Sequence, residues 1–351
     1  MKKFVIVAFL LLAVAGLAVV GAEILRPYRG YSGQVIMEIP PRTQAPEVAN
    51  LLASKGVLAH KWPFLALYSL GRWRYHLKAG AYLFDRPLRP LDVYRKIARG
   101  DVYFRTVVIP EGSNRFDIAR ILQNRLDIPA ENIVQATRDP AAIRDLDPQA
   151  PSLEGYLFPD TYQFEYRTSA AHVVGKMLAR FREIFKQDFQ QDLSQSDMNL
   201  HQVMTVASLV EKETPDPPER PIVAQVFELR LEKHIPLQCD PTVLYAAELN
   251  LHPVGPITEN DLQIESPYNT YLHAGLPPGP IANPGRASIR AVFDPAATQF
   301  LYFVSNNHGG HTFAGTLAEH QRNVARYRKQ VSALRQSAPD AAKHRAAKHP
   351  K

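Results

Sequence analysis

Nineteen consecutive uncharged residues, Phe4 to Ala22, set the first limit on what this chain can become. As a helix such a run spans about 28 Å, close to the hydrocarbon thickness of a bilayer. Lys2 and Lys3 are the only charged side chains ahead of it. A short basic flank stays in the cytoplasm, so everything beyond residue 25 is expected outside the inner membrane. Val20-Gly21-Ala22 has the small-residue character of a signal-peptide cleavage site, which is the rival reading. The apolar run is long for a signal core, so the expectation is a retained single-pass anchor.

Behind that run lies enough chain for two or three domains, 351 residues in all. Its 41 basic against 34 acidic residues leave a formal charge of +7. This suits an anionic surface but is too mild to imply nucleic acid, and no arginine-aromatic RNA motif or zinc-spaced His/Cys cluster adds to it. Nucleic acid is therefore not an expected partner. The single cysteine, Cys239, rules out an intramolecular disulfide framework and a Cys-rich metal site. No metal or cofactor is expected.

Hydrophobic patterning from residue 34 onward alternates between short strands and helices. Residues 34–39 read as a strand closed by Pro40-Pro41, 45–55 and 61–71 as helices, and 80–84 as a second strand, a β-α-α-β unit. A helix over 90–98 and a strand over 103–109 follow. IPPRTQAPEVANLL (39–52) and IPEGSNRFDIARIL (109–122) then align at an offset of 70 residues, each reading strand, proline turn, polar stretch, helix. Residues 34–126 thus form a small α/β module with a repeated motif. Residues 130–150 read as helix plus polar linker, and 169–190 as an amphipathic helix.

The chemistry concentrates further on. In HQVMTVASLVEKETPDPPERP (201–221), Val203, Val206, Ala207 and Val210 recur at the spacing of one helix face. Three residues beyond Val210 comes Glu213, so this carboxyl extends the buried stripe. Glu211 lies roughly 200° around the helix from it and is expected to be ordinary helix-end charge on another face. A carboxyl at the end of an apolar face is partly desolvated, which raises its pKa and suits it to general acid work. Pro215, Pro217 and Pro218 stop the helix.

Two loops carry the remaining candidates. In PSLEGYLFPDTYQ (151–163), Glu154 and Tyr156 flank Gly155, and carboxylates beside aromatics suit a carbohydrate, whose ring faces stack and whose hydroxyls bond. A tight turn with core aromatics is the alternative. Residues 265–286 carry five Pro and three Gly yet interleave Tyr268, Asn269, Thr270 and Tyr271, so an ordered loop is expected rather than disorder. Residues 300–304 read as a buried strand, and 309–315 as its glycine-flanked return. Thr316 and Glu319 form a capping box for a helix over 317–335. The basic tail 336–351 reads as disordered.

ASLVEKET (207–214), QCDPTVLYA (238–246), SPYNTYLHAGLPPGPIANPG (266–285) and YFVSNNHGGHTF (302–313) occur here in the order seen in the YceG-like endolytic murein transglycosylases. EGYLFPDTY (154–162) also resembles that family's upstream segment. The resemblance implies an α+β fold with an N-terminal membrane helix, a LysM-like module and a C-terminal mixed α/β catalytic domain. On this chain these map to an anchor at 1–25, the module within 26–150, the catalytic domain at 151–335 and the tail beyond. It implies Glu213 as the catalytic residue, with Glu154, Tyr156, Asp240, Asn269, Thr270, Tyr271 and His311 as candidate substrate contacts; structural support of the loops is their alternative role. The implied reaction cleaves the MurNAc-GlcNAc β-1,4 bond within nascent peptidoglycan strands and leaves a 1,6-anhydroMurNAc end. Glycan strands and membrane peptidoglycan synthases are the implied partners. Cys239 departs from the expected Thr or Ser, with no consequence for an assigned role. Two other classes remain open: a membrane-tethered muramidase using Glu154 or Asp240 as base, and a non-catalytic wall-binding scaffold.

Overall fold

The computed structural model describes all residues except Met1, Arg72, Arg74, Tyr75, 251–254, Pro256 and 348–351. It is a mixed α+β protein with an apolar N-terminal helix, α1 (Lys2–Leu25). Its segment Phe4–Leu25 has a mean hydropathy of 2.9 and no part of it is buried in the protein. The helix is long and apolar enough to cross a membrane, by length and composition.

Packing separates two units, one of Met1–Thr106 with Gln163–Thr168, the other of Val107–Tyr162 with Ser169–Lys351. In the first, β1 (Val35–Ile39) leads through α2 (Ala45–Ser54) and α3 (Trp62–Gly71) to β2 (Gly80–Phe84), followed by α4 (Pro90–Arg99). β1 and β2 pair antiparallel with Met37 opposite Tyr82. That register puts Met37 and Ile39 on the buried face with Val48, Leu52, Phe64, Phe84, Val93 and Ile97. The β-α-α-β reading is therefore the observed core of this unit.

The chain passes between the units in β3 (Phe104–Val108) and again in β4 (Thr161–Glu165), which pair with each other. The second unit adds α5 (Arg115–Leu126), α6 (Ala130–Ala136), α7 (Ala170–Asp188), α8 (Gln190–Gln195) and α9 (Leu200–Glu213). It continues through α10 (Arg220–Glu232), α11 (Asp240–Leu249), α12 (Arg286–Phe293), the hairpin β5 (Tyr302–Ser305) and β6 (His311–Ala314), and α13 (Leu317–Ala347). α9 is its centre: Val203 through Val210 are all buried, and α10, α11 and α12 pack around it.

The 70-residue echo is structural. Arg42 and Gly112, equivalent positions, both sit at positive φ, 67° and 73°. Gln44 and Asn114, again equivalent, are the N-caps of α2 and α5, each closing a capping box with the acidic residue three positions on. The copies nonetheless fall in different units, so packing divides the chain at Thr106/Val107 rather than at residue 150. Residues beyond the second proline turn are tied to distant parts of the second unit. Gly112 N donates to Asn283 O at 2.9 Å, and Arg115 N donates to the Glu154 carboxylate at 2.9 Å.

Asn283 is the hub of this arrangement and has no exposed surface. Its side-chain oxygen accepts from Gly155 N and Leu157 N at 2.9 and 2.8 Å. Its amide donates to Ser113 O at 2.9 Å and to Glu154 Oε1 at 2.8 Å. Gly155 sits at φ +90° with Pro280 so close that a Cβ would stand 2.5 Å from the ring, so only glycine fits.

Three details differ from the expectation. The strand expected over 300–304 is Tyr302–Ser305 and only half-buried, with Phe303, Val304 and Ser305 all lining a cavity. The Glu319 side chain reaches Gly315 N rather than Thr316 N, while Thr316 Oγ1 still accepts from Glu319 N at 3.3 Å. The tail expected to be disordered from Gln336 continues α13 to Ala347, in keeping with alanine's helix propensity at 341, 342, 346 and 347. Lys348 and Lys351 lie outside the described residues.

Candidate active site

α9 begins with a capping box, Asn199 with Gln202, and ends where Thr214 turns extended at φ −133°, ψ 126°. Glu213 is thus its last helical residue, at the foot of the apolar stripe, and is half-buried. It opens into a cavity of about 520 Å³. Arg230 of α10 joins it there, with Leu237 and Gln238 from the turn before α11, Asp240 at the first position of α11 and Tyr271 from the Pro-rich loop. Phe303, Val304 and Ser305 of β5, His311 of β6, and His320, Val324, Tyr327 and Arg328 of α13 complete the wall. The α13 residues recur at helical spacing, so a single face of that helix meets the cavity.

Burial pushes the Glu213 carboxyl up to about 7, and the negative Asp240 adds to the rise; the Cys239 thiol, His311 and Arg230 pull the other way. Cys239 is 1% exposed, and burial together with the neighbouring Glu213 carboxyl pushes its thiol well above the ordinary range. The departure at this position is therefore not neutral, since the residue at 239 acts on the ionisation of the candidate acid. Tyr271 OH donates to Asp240 Oδ1 at 2.5 Å. Arg230, 8% exposed, donates to Leu301 O at 2.6 Å and to Leu237 O at 2.7 Å, which pins the segments on either side of the cavity.

Of the eight residues picked from the sequence, Glu213, Asp240, Tyr271 and His311 meet at this cavity. The other four do not line it, and each has a structural task. Glu154, 1% exposed, is bound by Arg115 N, Asn283 and Tyr245 OH, and burial pushes its carboxyl up to about 7. Tyr156 is fully buried, its hydroxyl on Asp147 and its ring edge-on to Phe181 at 5.3 Å. Asn269 donates to Leu262 O and Ile264 O at 3.0 and 2.9 Å. Thr270 Oγ1 accepts from Cys239 N at 3.0 Å. Glu154, Asn269 and Thr270 thus satisfy backbone groups outside the regular ladders, while Tyr156 packs the core and satisfies Asp147.

Glu211 also departs from expectation. Its side chain is 5% exposed and pairs with Arg220 at 3.1 Å. It accepts from Gly285 N at 2.9 Å and Ser288 Oγ at 2.7 Å. It does lie away from the Glu213 cavity, but it is a buried structural anion, not helix-end surface charge.

A larger cavity of about 850 Å³ in the same unit is lined by Asn114, Arg120, Lys212, Pro241, Tyr245 and Glu248, among others. Glu248 there is occupied by Asn114 at 2.7 Å and Arg120 at 2.8 Å. Size alone therefore does not select the site; the raised carboxyl does. Arg230 and Glu219 are the residues that sequence reasoning missed. Arg230 continues the stripe Val223, Val226, Phe227, so the argument that found Glu213 would have found it too.

A model of the YceG-like family matches residues 37–326. The chain belongs to the YceG-like family. A relative from Bacillus subtilis (strain 168), an endolytic murein transglycosylase, is 29% identical over 90% of this chain and 91% of its own length. One from Streptococcus pneumoniae serotype 2 (strain D39), with the same name, is 27% identical over 84% of this chain, which spans 58% of that protein. The crystal structure of a YceG-like protein from Listeria monocytogenes superposes with a TM-score of 0.57 at 29% identity, covering 83% of this chain and 99% of that one. This YceG-like chain thus shares its family with endolytic murein transglycosylases along most of its length.

Proposed function

We propose that this protein is a membrane-tethered endolytic peptidoglycan lytic transglycosylase with Glu213 as its acid-base residue. The observation that carries the reading is a carboxyl raised to about 7 at the end of a buried helix face and opening into a polar cavity. Family membership and relatives named endolytic murein transglycosylase support it.

In this reading protonated Glu213 gives its proton to the glycosidic oxygen as the C1–O bond breaks. The C6 hydroxyl oxygen of the same MurNAc then bonds to C1, and its proton passes to the Glu213 carboxylate. The sum divides one strand into two, one ending in a free GlcNAc 4-hydroxyl and the other in a 1,6-anhydroMurNAc ring, consumes no water and restores the acid. A single carboxyl serves both steps, whereas a hydrolase divides them between two. Asp240, held by Tyr271, orients substrate hydroxyls, and His311 contributes from the hairpin wall.

The hydrolytic alternative needs a second carboxylate, and Asp240 is the one in reach, because Glu154 is buried and saturated with donors. Residues 35–84 act as a LysM-like glycan-holding module, and α1 keeps the protein at the outer face of the inner membrane, near the synthases. The deciding experiment is product analysis of purified glycan digested by the detergent-solubilised protein. Anhydro-MurNAc ends support the proposal; reducing MurNAc ends mean a hydrolase, and no turnover means a scaffold.

A further inference from the structure

Glu219 lies just before α10 and was not among the residues that the sequence singled out. Its carboxylate is 13% exposed and faces His311, 12% exposed, at 2.7 Å from Oε2 to Nδ1. Oε1 accepts from the His311 backbone N, also at 2.7 Å. Thr214 Oγ1, on the residue after Glu213, donates to Oε2 at 3.1 Å and accepts from Asp216 N at 3.1 Å. One carboxylate thus ties the end of α9 to the β6 wall of the cavity.

The donor inventory fixes what the imidazole must do. An ionised carboxylate only accepts. Burial pushes the Glu219 carboxyl up, but hydrogen bonds from the His311 ring and backbone and from Thr214 hold it below its ordinary value. Nδ1 must therefore carry the proton, and in the neutral ring Nε2 is left with a bare lone pair. Phe303 stands edge-on to the imidazole at 5.2 Å and Phe313 lies at 6.2 Å, so aromatic packing holds the plane of the ring as well.

We infer that Glu219 is a positioning residue: it holds His311 in the Nδ1–H form, so that Nε2 accepts a hydrogen bond from a sugar hydroxyl beside Glu213. The inference rests on the glycan-cleaving reading above for the identity of that hydroxyl, but not for the tautomer. Glu219 itself is absent from the cavity wall, whereas His311 is part of it. Removing the carboxylate should therefore act through the ring.

The test is ¹⁵N NMR of histidine-labelled full-length protein in detergent at a pH where the ring is neutral, with the His311 signal identified by difference against His311→Gln. The wild type should show Nδ1 protonated and Nε2 bare, and Glu219→Gln should show a mixture of the two forms. In the glycan assay Glu219→Gln should lower kcat by about 10–100-fold, the usual range for a partner that orients a functional histidine, with KM within about twofold. In the His311→Gln background, adding Glu219→Gln should change kcat by less than about twofold, because both variants remove the same interaction. Multiplicative losses would make Glu219 a structural tie only and overturn the inference. A wild-type His311 protonated on Nε2 would overturn it without any variant, even if Glu219→Gln does not fold. A wild type that binds glycan but makes no anhydro ends would sink the functional reading and leave the tautomer result standing.

Discussion

Glu211 and Glu213 stand two residues apart on one helix, and their glutamine variants should fail in opposite ways. Among the described residues, Glu211→Gln leaves Arg220, 8% exposed, with only the half-exposed Glu111 at 3.8 Å as a charge partner. Breaking one side of a buried ion pair costs about 3–5 kcal/mol, and glutamine keeps one acceptor oxygen for Gly285 and Ser288, which favours the lower end, about 3 kcal/mol. For a unit of this size that lowers the unfolding temperature by about 6–12 °C. Below that transition, turnover per folded molecule should stay within about tenfold of the wild type. Glu213→Gln removes a carboxyl whose ionisation is opposed by burial, so folding should be unharmed, while anhydro-MurNAc production falls by about 10²–10⁴ or more. The assay is thermal unfolding and product analysis on both variants at one pH. Loss of product in Glu211→Gln with an unchanged transition, or a destabilised Glu213→Gln, would refute the division between structural and reacting carboxyls.

Three further outcomes are expected. A carboxyl raised from 4.5 to about 7 stabilises the fold fully below 4.5, and that contribution is lost as pH rises through about 7. The unfolding temperature of Glu213→Gln minus that of the wild type should accordingly grow between pH 5 and pH 8, and a constant difference would speak against a raised carboxyl; over the same interval wild-type turnover should fall as the acid form is depleted. Tyr271→Phe, which removes the hydroxyl on Asp240, should lower kcat/KM by about tenfold, the equivalent of a charge-assisted bond near 1.5 kcal/mol, and full activity would remove this pair from the cleft's work. Gly155→Ala, at φ +90° against Pro280, should cost at least about 2 kcal/mol in chemical denaturation, and a neutral effect would mean the turn can relax.

What was legible in the sequence was legible because it is local. The Val203–Val210 stripe located Glu213, and the offset of 70 located both proline turns down to their N-caps. The polar residues in the irregular loops were not legible. Asn269 and Thr270 look like cleft residues on paper, and only the path of the chain shows that Leu262, Ile264 and Cys239 take up their bonds. The helical period also said where Glu211 does not point; it could not say that Arg220, Gly285 and Ser288 wait on that side. Arg230 was readable by the Glu213 rule, since it continues the Val223, Val226 and Phe227 stripe of α10.

The Asn283 hub has a consequence for biogenesis. Its amide partners Ser113 and Glu154 lie 170 and 129 positions earlier in the chain. A ribosome working from the N-terminus releases those partners long before it adds Asn283. Until then the Gly155 and Leu157 amides lack their acceptor, and Glu154 lacks one of its donors. A product terminated before residue 283 therefore lacks the side chain that joins Ser113, Glu154, Gly155 and Leu157.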